Sequence, residues 1–261
     1  MFHRFFVPET ASEATRKSFP HSGTLSSVAS MSHESTSLNG DLSLRVAVDT
    51  AAMDWTDSPG GHVQRKRVHR VGPAESGQVT SIVRYAPGAS FPAHDHPEGE
   101  EILVLEGVFS DEHGDWPAGT YLLNPEGFRH APYSEPGCIL FVKLRQFPGA
   151  DRRHVALQTA EEPWHRSVRK NVSRKNLYAQ EPYSDHMRLE AWDAPAESGP
   201  LNFPQGAELL VLRGYFEDRL GRYGTGTWLR IPAGESLAPT SNDYCELYIK
   251  EGGFPYLISA D

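Results

Sequence analysis

Cysteine is almost missing from this chain. There are two, Cys138 and Cys245, and neither lies in a CxxC pair. That excludes a disulfide framework and a cysteine-built zinc site, and it fits a reducing, cytoplasmic setting. Basic charge is short as well: 25 Lys and Arg stand against 34 Asp and Glu, a formal net charge of −9. With no basic face for a phosphate backbone, no nucleic-acid partner is expected. Local basic runs at Gln64-Arg65-Lys66-Arg67 and from Arg166 to Lys175 read as solvated strand faces. No apolar run is long enough to cross a bilayer, so no membrane partner is expected. Phe2, Phe5, Phe6 and Val7 are too scattered for the core of a signal peptide. Three-turn amphipathic periodicity is lacking, as are a P-loop, a dinucleotide fingerprint and a GxSxG elbow. Residues 1–40 are rich in Ser and Thr and poor in large aliphatics after Val7, and are expected to form a disordered tail, with Met31 as an alternative start.

What the sequence does have is turn residues and a repeat. Its 23 glycines and 20 prolines are spread through 261 residues, which favours many short strands joined by tight turns. Gly99-Glu100-Glu101-Ile102-Leu103-Val104-Leu105-Glu106-Gly107 recurs as Gly206-Ala207-Glu208-Leu209-Leu210-Val211-Leu212-Arg213-Gly214, an offset of 107 residues. The same offset carries Phe109 onto Phe216, Asp111 onto Asp218, Gly119-Thr120 onto Gly226-Thr227, Pro125 onto Pro232, and Lys143 onto Lys250. The chain therefore holds two copies of one fold, which divides it into residues 1–40, 41–150 and 151–261. In the first copy 79–85, 101–109, 120–124 and 139–144 are rich in β-branched and aromatic residues and are bounded by turn signals. Strands at this spacing predict an all-β sandwich or barrel.

The first copy also carries a metal-type constellation. His94-x-His96-(x3)-Glu100 lies between Gly88 and Gly107, and Gly119-(x5)-Pro125-x-Gly127-(x2)-His130 follows. Side chains two or four apart on a strand share a face, so His94, His96 and Glu100 can point into one barrel, subject to any turn between them. His130, from a later strand, can close the site. Three imidazoles and a carboxylate suit Zn, Fe, Mn, Ni or Cu better than Ca or Mg. At the repeat offset the four become Leu201, Phe203, Ala207 and Leu237, while the glycines and strand residues stay. The four change as a block, so the second copy is expected to hold no metal.

These two elements match the two cupin motifs. The wording around His94-x-His96-Pro97-x-Gly99-Glu100-Glu101-Ile102-Leu103-Val104-Leu105-x-Gly107, with Phe109-x-Asp111-Glu112, Gly119-Thr120-Tyr121 and the strand at 79–85, resembles the cupin domain of ChrR-type anti-sigma factors. Ser134 stands where the second motif often has Asn. The resemblance implies two tandem cupin domains, each a jelly-roll β-barrel. It also implies one divalent ion, zinc foremost with Fe or Mn as alternatives, in a His/His/Glu/His site. Relatives of the fold include metal-dependent dioxygenases acting on small carbonyl or enol compounds. A ChrR-type factor grips its sigma factor through an N-terminal His-x3-Cys-x2-Cys zinc domain, and no cysteine precedes Cys138 here, so sigma-factor binding is not expected. Two functions remain: a zinc-binding regulatory or sensing module, and a mononuclear metal dioxygenase. A small-molecule ligand and a homodimer are compatible with both.

Other residues are weighed by the repeat. Lys143 and Glu101 recur as Lys250 and Glu208 in the copy without ligands, which points to scaffold. Arg84, Phe109 and Tyr121 are candidates for the pocket wall by strand parity. Cys138 reads as a buried small residue. His62, His69, His113, His154, His165 and His186 lack ligand spacing and default to surface or hydrogen-bonding roles.

Overall fold

The computed structural model describes residues 37–197 and 199–260. The expected tail at 1–40 lies outside them, apart from its last four residues. Among the described residues the fold is all-β, with only two three-residue 3-10 turns, Thr50–Ala52 and Phe254–Tyr256. The expected strands form at Gln78–Tyr85, Glu100–Asp111, Thr120–Asn124 and Cys138–Leu144. No membrane-length apolar helix is present among the described residues.

Two antiparallel barrels repeat one strand order. In the first, Val63–Val71, Gln78–Tyr85, Cys138–Leu144, Glu100–Asp111 and Thr120–Asn124 lie side by side; in the second, Val172–Ala179, His186–Trp192, Cys245–Glu251, Ala207–Asp218 and Thr227–Ile231 do the same. A shared bulge shows how closely the copies agree. Pairing skips Leu105 in one barrel and Leu212 in the other, just before Gly107 and Gly214. Both glycines take φ +73°, and a Cβ there would lie 2.0 Å from Gly137 O or 1.8 Å from Tyr244 O. Only glycine allows this turn out of the ladder.

The barrels exchange strands. Val46–Asp49 precedes the first barrel in sequence but pairs with Thr227–Ile231 of the second. Val155–Gln158 precedes the second but pairs with Thr120–Asn124 of the first. The contacts behind the two arms match: Lys66 Nζ donates to Thr50 O at 2.7 Å and lies over Trp55, and Lys175 Nζ donates to Thr159 O at 2.6 Å and lies over Trp164. Here the repeat offset is 109. The basic runs are therefore not simply solvated faces: Lys66 and Lys175 are buried because strand alternation turns them inward, against the arms.

Three cores result. One fills the first barrel, one fills the second, and a third lies between them, where Leu103, Tyr121 and Phe141 meet Leu189, Leu210, Trp228 and Tyr248. Sheets covered on both faces explain why all five residues of Thr120–Asn124 and of Thr227–Ile231 are buried.

Candidate metal centre

The centre grows from one short strand pair. His94–His96 runs antiparallel to Phe128–His130, with His130 directly opposite His94. His94 and His96 are two apart, so their rings share a face, and His130 joins them across the ladder. Their ring centroids lie 4.8 to 5.4 Å apart. The residues between face solvent, where Asp95 accepts from Arg129 at 3.2 Å. A turn then interrupts the parity: Glu98 takes φ +59° and Gly99 φ +70°. A Cβ on Gly99 would press on Phe147 and on Asn124 O at about 3 Å, so glycine is needed there too. The turn delivers Glu100 back to the histidines.

All four expected side chains meet. Glu100 Oε2 lies 3.4 Å from His96 Nε2 and 3.6 Å from His130 Nε2, and His96 Nε2 lies 2.8 Å from His130 Nε2. Nitrogens of all three histidines fall within 4.8 Å of one another, among the described residues the one such group of His, Cys, Asp and Glu.

Hydrogen bonds outside this cluster fix which atoms face inward. His130 Nδ1–H donates to Asp111 Oδ2 at 3.0 Å, and His94 Nδ1–H donates to Pro92 O at 2.9 Å. Both rings therefore turn a bare Nε2 lone pair to the centre, the tautomer a metal needs. Asn124 Nδ2 donates to Glu100 Oε2 at 3.0 Å and orients the carboxylate. Burial pulls His130 down, but Asp111 and Glu100 outweigh it and leave its pKa raised. Burial dominates at His96, whose pKa is lowered. Asp111 is lowered: burial opposes ionisation, but bonds from His130, the His113 N–H and the Trp116 indole outweigh it. The donor set fits a borderline divalent cation: one carboxylate and three imidazoles, two of which, His94 and His130, have their outer nitrogens already committed.

A cavity of about 230 Å³ opens beside the four, walled by Arg65, Ser81, Tyr85, Phe91 and Phe109 among others. Of the expected wall residues Phe109 is there, and Arg84 and Tyr121 are not. On Gln78–Tyr85 it is Ser81, Val83 and Tyr85 that face inward, so Arg84 points outward, over Trp55 and against Gln64. Tyr121 lies between the barrels and donates to Glu101 at 2.8 Å. A larger cleft of about 460 Å³ runs between the barrels and includes none of the four.

In the second barrel Leu201, Phe203, Ala207 and Leu237 pack into one apolar cluster with Trp192 and Phe216. Cys138 is buried, as expected. Of the other histidines, His69 is fully buried and bonds Asn39 O, His186 meets Glu251, and His113 and His154 flank Phe128 beside the centre. Asp111, Asn124 and Arg65 were not singled out by sequence. Asp111 recurs as Asp218, which hid its link to His130; Asp218 instead pairs with Arg45. Arg65 was hidden within a charged run.

The family described as ChrR Cupin-like domain matches residues 43–148 and again 152–255. No curated protein matches the chain. Among solved structures, the bacterial pirin YhhW of Escherichia coli, in complex with nickel(II), is 13% identical with a TM-score of 0.61, covering 80% of this chain and 98% of that one. YlbA of E. coli is 14% identical with a TM-score of 0.61, covering 81% and 92%. An oxalate decarboxylase of Bacillus subtilis is 14% identical with a TM-score of 0.55, covering 79% and 76%. These likenesses are of fold.

Proposed function

This chain belongs to the ChrR cupin-like family, in a two-cupin arrangement, and from that premise we propose that its first barrel is a zinc-binding module that presents the ion to a small molecule. The ligands are His94, His96, Glu100 and His130. The observation that carries this reading is the cavity that continues from those four side chains into the barrel. A purely structural zinc site is closed on all sides. Here a small ligand can reach the ion without rearranging the fold. The second barrel is a partner that buries one face of the first, with an apolar cluster where the ligands would stand.

The same cavity also supports a second reading, a mononuclear iron or manganese oxidoreductase of the dioxygenase type acting on a small carbonyl or enol compound. Four protein ligands leave two positions of an octahedral ion open, and a bound ion would polarise a substrate oxygen. Metal content and coordination number of the purified protein decide between them. Zinc with no dioxygen uptake, whose coordination number rises from four to five when a small-molecule ligand is added, supports the module; six-coordinate iron or manganese with uptake on adding a diketone supports the enzyme. Protein that takes up no divalent ion contradicts both.

A further inference from the structure

The cavity wall holds one cation that metal binding does not use. Arg65 stands opposite Val83 on the neighbouring strand, so it faces the same interior as Ser81, Val83 and Tyr85. Its side chain is 19% exposed. Arg65 Nη1 donates to one oxygen of Glu75 at 2.6 Å, and Arg67 Nη2 donates to the other at 2.7 Å. Two guanidiniums thus share one carboxylate, Arg65 and Glu75 lining the cavity and Arg67 standing outside its lining, so the three together carry one net positive charge. The metal end is positive too, because a divalent ion set against Glu100 and neutral imidazoles keeps one net charge. Apart from Arg65, Glu75, Ser81, Tyr85 and the four side chains at the metal end, the wall is apolar.

We propose that this cavity takes a small dianionic oxyacid, one acidic group directed to the metal position and the other to Arg65. The proposal rests on the metal-site reading above and names its ligand class. A volume of about 230 Å³ equals the share of roughly eight water molecules, which suits an acid of about seven to ten non-hydrogen atoms. A guanidinium presents paired donors that match a carboxylate, and an apolar surround strengthens that contact. Glu75 is the built-in competitor. Its side chain is 44% exposed, so it can turn to water when Arg65 takes another anion.

The test uses the full chain loaded with Co(II), whose visible spectrum reports ligands arriving at the metal. The probes are azide, succinate, and succinamate, which has the size of succinate but an amide in place of one carboxylate. Succinate is expected to bind at least tenfold more tightly than succinamate. Arg65→Met abolishes that preference, and Glu75→Gln strengthens succinate binding severalfold. Azide affinity stays the same in all three proteins. Both variants are expected to keep the fold, because Glu75, the carboxylate the two arginines share, is 44% exposed and is solvated when the pairing is lost. Equal affinity for succinate and succinamate, or a preference that survives Arg65→Met, overturns the proposal and leaves the metal site standing. Failure of Co(II) to enter the first barrel overturns the metal reading and this proposal together.

Discussion

Lys143 of the first barrel donates to Glu208 of the second at 2.6 Å, with both side chains sealed from solvent. The repeat makes the same pair from Lys250 and Glu101, yet those two do not bond. Glu101 instead accepts from two tyrosines, Tyr121 at 2.8 Å and Tyr248 at 2.7 Å. Their counterparts beside Glu208 are Trp228 and Phe141, which offer no hydroxyl. Lys250 Nζ is left over the Phe147 ring at 3.8 Å, without a hydrogen-bond partner in the protein. Burial pushes its pKa down to about 8.

The two lysines should therefore respond differently to removal. Lys143→Met leaves Glu208 buried and unpaired and is expected to cost about 3–5 kcal/mol. Lys250→Met removes an ammonium that makes no hydrogen bond, and Glu101 nearby keeps its two tyrosine donors, so its cost is expected to be smaller than that of Lys143→Met. Urea unfolding at pH 7 compares them.

Lys250 also predicts a pH dependence. An ordinary lysine keeps its proton to about 10.5, and this one releases it near 8. Between those values the unfolded chain binds the extra proton, so stability rises with pH across the window. Below about 8 the penalty is fully present. Wild type is expected to gain stability relative to Lys250→Met between pH 8 and 10.5, measured by urea unfolding at both ends. A constant difference would assign Lys250 an ordinary pKa.

Asp111 is expected to govern metal affinity without touching the ion. Asp111→Ala frees the His130 ring to turn and to change tautomer, which lowers zinc affinity by about 10- to 100-fold. Asp218→Ala, at the same place in the other barrel, leaves zinc affinity unchanged. Competition with a chromogenic chelator measures both.

Much of this was legible in the sequence. The ligands changed as a block between copies, so the repeat itself marked His94, His96, Glu100 and His130 as a unit. The strand exchange was not legible. Thr50, Trp55 and Lys66 recur as Thr159, Trp164 and Lys175, but at an offset of 109, and a gapless match at 107 passes over them. Parity was also incomplete. It divides a strand into inward and outward faces, yet these sheets are buried on both, so Tyr121, expected in the pocket wall, faces the second barrel, and Lys66, expected on a solvated face, packs under the exchanged arm.

Leu237→Ala tests the reading of the second barrel. Leu237 is fully buried in the cluster that stands where the ligands would be. The truncation is expected to cost about 2–5 kcal/mol through the cavity it leaves. Zinc stoichiometry should not change, as read by thermal unfolding and elemental analysis on one preparation.

The most direct measurement is an anomalous difference map, at the zinc edge, from crystals of the zinc-loaded protein. One peak is expected in the first barrel, about 2.0–2.2 Å from nitrogens of His94, His96 and His130 and from a Glu100 oxygen. It should be gone in His130→Ala crystals grown at limiting zinc. A peak elsewhere, or none in protein saturated with zinc, would contradict the account.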